Sequence, residues 1–276
     1  MSWSIITDSS CDLICEDLPD NIHYERVPFT ISVGSKDYVD VETLNTVEMI
    51  EDMESFSGAS HTSCPAPGAW YELFEKSEQT IVITISKKLS GSYNSAFAAK
   101  GMILEKYPEK KIFILDSESA GSALALLVEK AVEMIEKGFD FEAVTTEMQQ
   151  YSNKLNTIFA LSSFRNLVKN GRMSRLSGFI AGKLGIWGIG IAEEGKITVK
   201  SKTRGLNRVI SEFINDMKEN NFVKGKVIIS HCQNYTLAED LKNSILESWS
   251  AADVRILATG GLCSYYAERG GLIVAY

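Results

Sequence analysis

The stretch that most constrains the fold is Thr80 to Ala99, where Thr-Ile-Val-Ile-Thr-Ile leads through Ser-Lys-Lys-Leu into Ser90-Gly91-Ser92 and an Ala-rich segment. A continuous β-branched run of this kind reads as a strand buried on both faces of a parallel sheet. The helix that opens at Ser90-Gly91-Ser92 continues past Lys100. Strand, loop and helix form the repeating unit of α/β sheets, whose ligands sit beyond the carboxyl ends of the strands. There the free N–H groups and partial positive charge of a helix N-terminus hold an anion. Ser90, Gly91 and Ser92 supply such groups, with hydroxyls as further donors. Ser90 reads equally well as an N-cap that serves only its own helix.

The same pattern recurs along the chain. Trp3 to Thr7 is a short strand that runs into Asp8-Ser9-Ser10, and Lys111 to Leu115 is another that runs into Asp116-Ser117-Glu118-Ser119-Ala120-Gly121. Val27 to Val33 reads as one strand, and the turn Gly34-Ser35-Lys36-Asp37 returns the chain through Tyr38-Val39-Asp40. Helices are expected at Thr46 to Ser55, capped by Asn45 or Thr46, at Trp70 to Lys76, at Ser122 to Lys137 closed by Gly138, and at Phe141 to Lys154. Between the first two lies His61-Thr62-Ser63-Cys64-Pro65-Ala66-Pro67, a loop stiffened by two prolines that holds two hydroxyls in extended backbone. Parallel strands bring such Ser-, Thr- and Asp-bearing loops to one edge of a sheet.

Beyond Asn156 the pattern becomes mixed. Thr157 to Leu161 reads as a strand, and Ser163 to Asn170 as a helix. A hairpin of Ile186 to Ala192 and Ile197 to Lys200 turns at Glu193-Glu194-Gly195-Lys196. A helix to Lys218, a strand at Lys226 to Ser230, a helix at Thr236 to Glu247 and strands at Val254 to Ala258 and Leu272 to Tyr276 complete it. The expectation is an α/β fold of two α/β domains: residues 1–155 with a mainly parallel sheet, and 156–276 with a mixed sheet. A length of 276 residues suits that division.

A net charge of −8 and a pI near 5.1 argue against nucleic acid as a partner, because phosphate-backbone affinity comes from basic patches. The five cysteines, Cys11, Cys15, Cys64, Cys232 and Cys263, are odd in number and widely spread. They fit a reducing compartment better than a disulfide framework, and they lack zinc-ligand spacing. No basic segment followed by an apolar run opens the chain, and no long uncharged apolar span follows, so a cytoplasmic location is expected. No Gly-x-Ser-x-Gly elbow accompanies His23, His61 or His231, which sets a serine hydrolase well behind other readings. The loop at Ser86 to Ser92 lacks phosphate-loop spacing, and Gly188-x-Gly190 lacks the third glycine of a dinucleotide fingerprint.

Read in order, a set of short motifs resembles the DegV family across essentially the whole chain. They are Thr7-Asp8-Ser9-Ser10-Cys11-Asp12-Leu13, Thr62-Ser63-Cys64-Pro65 where the family usually shows Thr-Ser-Gln-Pro, and Leu89-Ser90-Gly91-Ser92-Tyr93-Asn94-Ser95-Ala96. Asp116-Ser117 with Gly121, Leu167 with Gly171-Arg172-Met173-Ser174, and Arg204-Gly205 continue the series. The DegV family comprises bacterial two-domain lipid-binding proteins that include the fatty-acid-binding subunits of fatty acid kinase. The resemblance implies a long-chain fatty acid buried between the domains, with its carboxylate held by Thr62 and Ser90 and flanked by Ser63, Gly91 and Ser92. It implies a carrier in place of an enzyme, with no cofactor. It further implies a separate ATP-dependent fatty acid kinase that supplies the chemistry, and transient membrane contact through which the product would reach acyltransferases.

Two departures from the family stand out. Tyr266, in Tyr265-Tyr266-Ala267-Glu268-Arg269-Gly270-Gly271, occupies the histidine position of the family's His-x-Gly-Pro-Gly signature, and Ile186-Trp187-Gly188-Ile189 replaces Asn-Ile-Lys-Pro. The basic run of Arg172, Arg175, Lys183, Lys202, Arg204 and Arg208 is a candidate docking face for the kinase, or an ordinary solvated surface. The small residues Gly178, Ala181, Gly182 and Gly185 either line the acyl tunnel or permit close helix packing. The alternative to a fatty acid is another small amphiphilic anion.

Overall fold

The computed structural model describes residues 2–14, 18–173 and 185–276. Cys15, Ser174, Arg175, Lys183 and the small residues Gly178, Ala181 and Gly182 lie outside the described residues.

The chain opens with β1 (Trp3–Asp8), β2 (Ile22–Val27), β3 (Thr30–Val33), β4 (Lys36–Val39), α1 (Thr46–Ser55), β5 (His61–Ser63) and α2 (Pro67–Phe74). It continues through β6 (Gln79–Thr84), α3 (Ser92–Lys106), β7 (Lys111–Asp116), α4 (Ser122–Glu136) and α5 (Phe141–Ser152). The β-branched run at the centre is indeed buried along its whole length in β6, as is β1 beside it. With β2 and β7 they form a parallel sheet in the order β2-β1-β6-β7.

The second half supplies β8 (Thr157–Leu161), α6 (Arg165–Lys169), β9 (Ile186–Glu193), β10 (Lys196–Arg204), α7 (Leu206–Glu219) and β11 (Gly225–His231). It ends with α8 (Tyr235–Ser248), β12 (Ala252–Ala258), α9 (Gly261–Ala267) and β13 (Leu272–Ala275). Its sheet, ordered β10-β9-β8-β13-β11-β12, is mixed, because β11 and β12 run parallel while the other neighbours pair antiparallel.

Local differences from the sequence reading have physical causes. The single strand expected over Val27 to Val33 is two, because Pro28 has no N–H for a ladder and the chain changes sheets there. Helix α2 begins at Pro67, which takes the first-turn position where a missing N–H costs nothing. Asn45, rather than Thr46, caps α1 by accepting from the Glu48 N–H at 3.2 Å. The prolyl loop at Thr62 contains β5, which joins β3 and β4 in a small antiparallel sheet.

The apolar helix α4 ties the two large sheets together. Its Leu124, Leu127 and Val128 share one core with Ile81 and Ile83 of β6 and with Ile228 and Ala275 of the mixed sheet. At its start, Ser122 Oγ donates to the Ile273 carbonyl at 2.8 Å. Gly121 precedes it at φ +64, a conformation that a side chain would resist.

Candidate functional site

Between the two large sheets lies a cavity with about 840 Å³ of empty space, open solvent at its mouth included. Phe29, Ile85, Leu89, Phe159, Leu161 and Ile273 make most of its wall apolar. Among the described residues, the charged ones along its lining are Glu118, Arg172 and Lys196, and Glu118 and Lys196 are solvent-exposed. Such a cavity accepts an apolar body and leaves a polar end to be satisfied at a few points.

Thr62 on β5 and Tyr266 on α9 meet in the cavity lining, with Oγ1 and the phenol oxygen 2.9 Å apart. Burial pushes the Tyr266 phenol up, so it remains a neutral donor. If Thr62 donates to the phenol oxygen, the phenol hydrogen stays free for a ligand oxygen. Ser90 lines the same cavity, and its Oγ accepts from the Ser92 N–H at 3.2 Å, leaving its own O–H to donate. It therefore serves its local turn and faces the cavity at once; the cap position of α3 falls to Gly91.

The remaining expected residues are placed differently. Ser92 is buried, and its hydroxyl donates to Asp8 Oδ2 at 2.6 Å. Ser63 is exposed and lies outside the cavity lining, consistent with strand alternation, which sends neighbouring side chains to opposite faces. Gly91 is also outside the lining, and a Cβ there would come 3.3 Å from Cys64 Sγ. Arg172 is partly buried in the cavity wall; its Nε donates to the Leu89 carbonyl at 3.1 Å and its Nη1 to the Asn170 carbonyl. Arg204 is exposed at the end of β10, away from the lining.

Side chains that the sequence did not single out hold this arrangement. Asp40, just beyond β4, accepts from the Gly261 and Leu262 N–H groups at 2.6 and 2.8 Å and so fastens the start of α9. Tyr265 is buried with its phenol 2.7 Å from Ser60 Oγ and 2.9 Å from Asn170 Nδ2, which leaves the adjacent Tyr266 to face the cavity. The β9–β10 turn closes another edge. Ser86 Oγ donates to the Gly195 carbonyl at 2.6 Å, and a Cβ on Gly195 would lie only 2.7 Å from that oxygen. Inside, Ser119 and Thr157 pair their hydroxyls at 2.8 Å. Long-range pairs such as these carry no sequence signal, because each partner looks like an ordinary turn residue.

Asp12 also links the two halves, accepting from the Gly260 N–H at 2.9 Å. Burial raises its carboxyl from the ordinary 3.8 to about 6, against the opposing pull of that N–H. Between these values the folded chain holds a proton that the unfolded chain has released. Stability from this group is therefore full below about pH 4 and lost as pH rises through about 6. Asp12→Asn, which keeps an acceptor for Gly260, is expected to flatten that slope and to raise stability at pH 7.5 by roughly 1–3 kcal/mol. Urea unfolding of both proteins from pH 4 to pH 7.5 checks it; parallel curves would contradict the assignment.

Among the described residues, no group of His, Cys, Asp and Glu is arranged to hold a metal ion, and no helix is long and apolar enough to cross a membrane.

Comparison with known proteins agrees with this geometry. The chain is 38% identical over 280 residues to a DegV domain-containing protein of Streptococcus pneumoniae, covering 100% of this chain and 99% of the relative. It superposes on the Streptococcus pneumoniae fatty acid kinase (Fak) B3 protein loaded with linoleic acid with a TM-score of 0.97, at 37% identity and with 100% and 99% of the two chains covered. A DegV family protein from Eubacterium eligens loaded with heptadecanoic acid superposes with a TM-score of 0.95, at 34% identity and with 99% of each chain covered. The family model described as an uncharacterised protein of the DegV family matches residues 2–276, and the chain belongs to that family.

Proposed function

We propose that this protein binds one long-chain fatty acid in the cavity between its sheets and presents the carboxylate to a separate ATP-dependent fatty acid kinase. The observation that carries the reading is the cavity itself: an apolar wall interrupted by the Thr62–Tyr266 hydroxyl pair, Ser90 and Arg172. Burying an acyl tail contributes about 0.8 kcal/mol per methylene, ample for tight binding after ordering costs. A carboxylate at the end of such a tail needs donors, since an unpaired buried charge is costly. Neutral hydroxyls hold it without fixing it in an ion pair, and the Arg172 guanidinium adds a favourable field. In this reading Ser92 and Gly91 shape the Ser90 loop, while Arg204, exposed outside the cavity, is available to a partner. The fatty acids held by the two solved relatives support the ligand class.

The test is mass spectrometry of an organic extract of the purified protein, beside a Thr62→Ala, Ser90→Ala double variant. A stoichiometric fatty acid is expected in the first. In the second, affinity for added fatty acid is expected to fall by about 10- to 100-fold, as for the loss of hydrogen bonds to a charged group. Addition of a fatty acid kinase and ATP should then yield acyl phosphate from the first sample. A protein that neither carries nor takes up any fatty acid would overturn the reading.

A further inference from the structure

One constraint on the cavity wall lies on the mixed sheet. Along β9, Trp187, Ile189 and Ile191 point away from the cavity into the core against Val209, Phe213 and Leu237. Strand alternation sends Gly190 and Ala192 to the opposite face, and Ala192 lines the cavity. Gly190 pairs with Phe159 on β8, and Phe159 pairs in turn with Ile273 on β13, so the three form one row across the sheet. A Cβ built on Gly190 would lie 2.2 Å from Phe159 Cζ and 2.3 Å from Cε2. The tip of the phenyl ring therefore occupies the space that any other residue at position 190 would fill. Gly190 is not among the glycines with positive φ, so its backbone suits any L residue. The requirement at this position is for room, not for conformation.

Phe159 is the middle of three cavity-lining residues on β8, between Leu161 and Thr157. Its ring meets Phe164 edge-on, with centroids 6.3 Å apart, and Ile273 is its register partner on β13. The open space beside the ring is the cavity that it lines.

Resting on the fatty-acid reading above, we propose that the Gly190–Phe159 pair sets the width of the acyl channel and thereby selects which acyl chains the protein accepts. With the ring drawn back over Gly190, the channel takes cis-bent chains as well as straight ones. A methyl at position 190 would drive the ring more than about 1 Å toward the cavity to restore ordinary van der Waals separation. The narrowed channel would exclude bends and spare straight chains.

The experiment measures affinities of stearic, oleic and linoleic acid for the full chain and for Gly190→Ala, Phe159→Leu and the double variant, with melting temperatures alongside. Gly190→Ala is expected to weaken oleic and linoleic acid by about tenfold or more relative to stearic acid, the size of effect that overfilling a packed site produces. Phe159→Leu in that background is expected to restore the wild-type ratio, because the shorter side chain no longer meets the methyl. Should Gly190→Ala fail to fold, Phe159→Leu alone decides: it must raise linoleic over stearic binding. Wild-type ratios in the folded variants would overturn the proposal and leave the fatty-acid reading standing. A wild-type protein that binds none of the three acids would overturn that reading and this inference with it.

Discussion

Asp8→Ala is expected to lower the stability of the protein by roughly 3–5 kcal/mol, as for removal of one partner from a buried charged network. The carboxylate at the end of β1 accepts from Ser10 N–H and Ser10 Oγ at 3.2 and 2.5 Å, from Ile85 N–H at 2.9 Å and from Ser92 Oγ at 2.6 Å. Burial pushes its pKa up, and these bonds oppose that push. Alanine would leave all of these donors dry. Because two of them, the Ile85 N–H just past β6 and the Ser92 hydroxyl at the start of α3, flank the Ser90 loop, that loop should lose its shape as well. Asp8→Asn keeps the volume and one acceptor oxygen, and should cost less. Urea denaturation of both variants, with fatty-acid binding measured on the folded fraction, checks the expectation. An alanine variant as stable as the wild type would mean that solvent reaches these donors.

The second large effect is expected at Asp40. Its two oxygens take the first N–H groups of α9, groups that have no partner within their own helix. Asp40→Ala should cost roughly 2–4 kcal/mol, since both buried N–H groups lose their acceptor. Helix α9 carries Leu262, Cys263 and Tyr266 into the cavity wall, so the loss reaches the proposed fatty-acid cavity. Fatty-acid affinity should fall by about tenfold or more even in the folded protein, as for displacement of a positioned hydrogen-bond donor. Tyr266→Phe provides the contrast, with affinity reduced and stability near wild type. Calorimetric melting beside ligand titration separates the two; an Asp40→Ala variant with unchanged affinity would show that α9 is held by its packing alone.

Several elements were legible because their cause is local. The β-branched run at Thr80 to Ile85 has no exposed face to offer, and β6 is buried throughout. Gly138, at φ +79, ends its helix as a glycine of that conformation should. The short helix α9 was missed because Gly260-Gly261 gives it no cap of its own; its acceptor comes from Asp40, more than two hundred residues earlier in the chain. The strand β5 was hidden in a prolyl loop for a similar reason, since it exists only against β3.

The candidate site divides along the same line. The hydroxyl-bearing loop after a buried strand drew attention to Ser90, while Thr62 became a candidate only through the motif order that resembles the DegV family. The sequence alone also determined the α/β class and the change from a parallel to a mixed sheet, because strand burial and hairpin turns are written in neighbouring residues. Only the tertiary structure decided that Ser92 spends its hydroxyl on Asp8, that Arg172 stands in the cavity wall, and that Tyr266 meets Thr62. It alone shows the phenyl ring of Phe159 resting where Gly190 has no side chain. Periodicity reports which face of an element is buried; which groups meet there depends on how distant segments pack, and a single chain of letters does not record those distances.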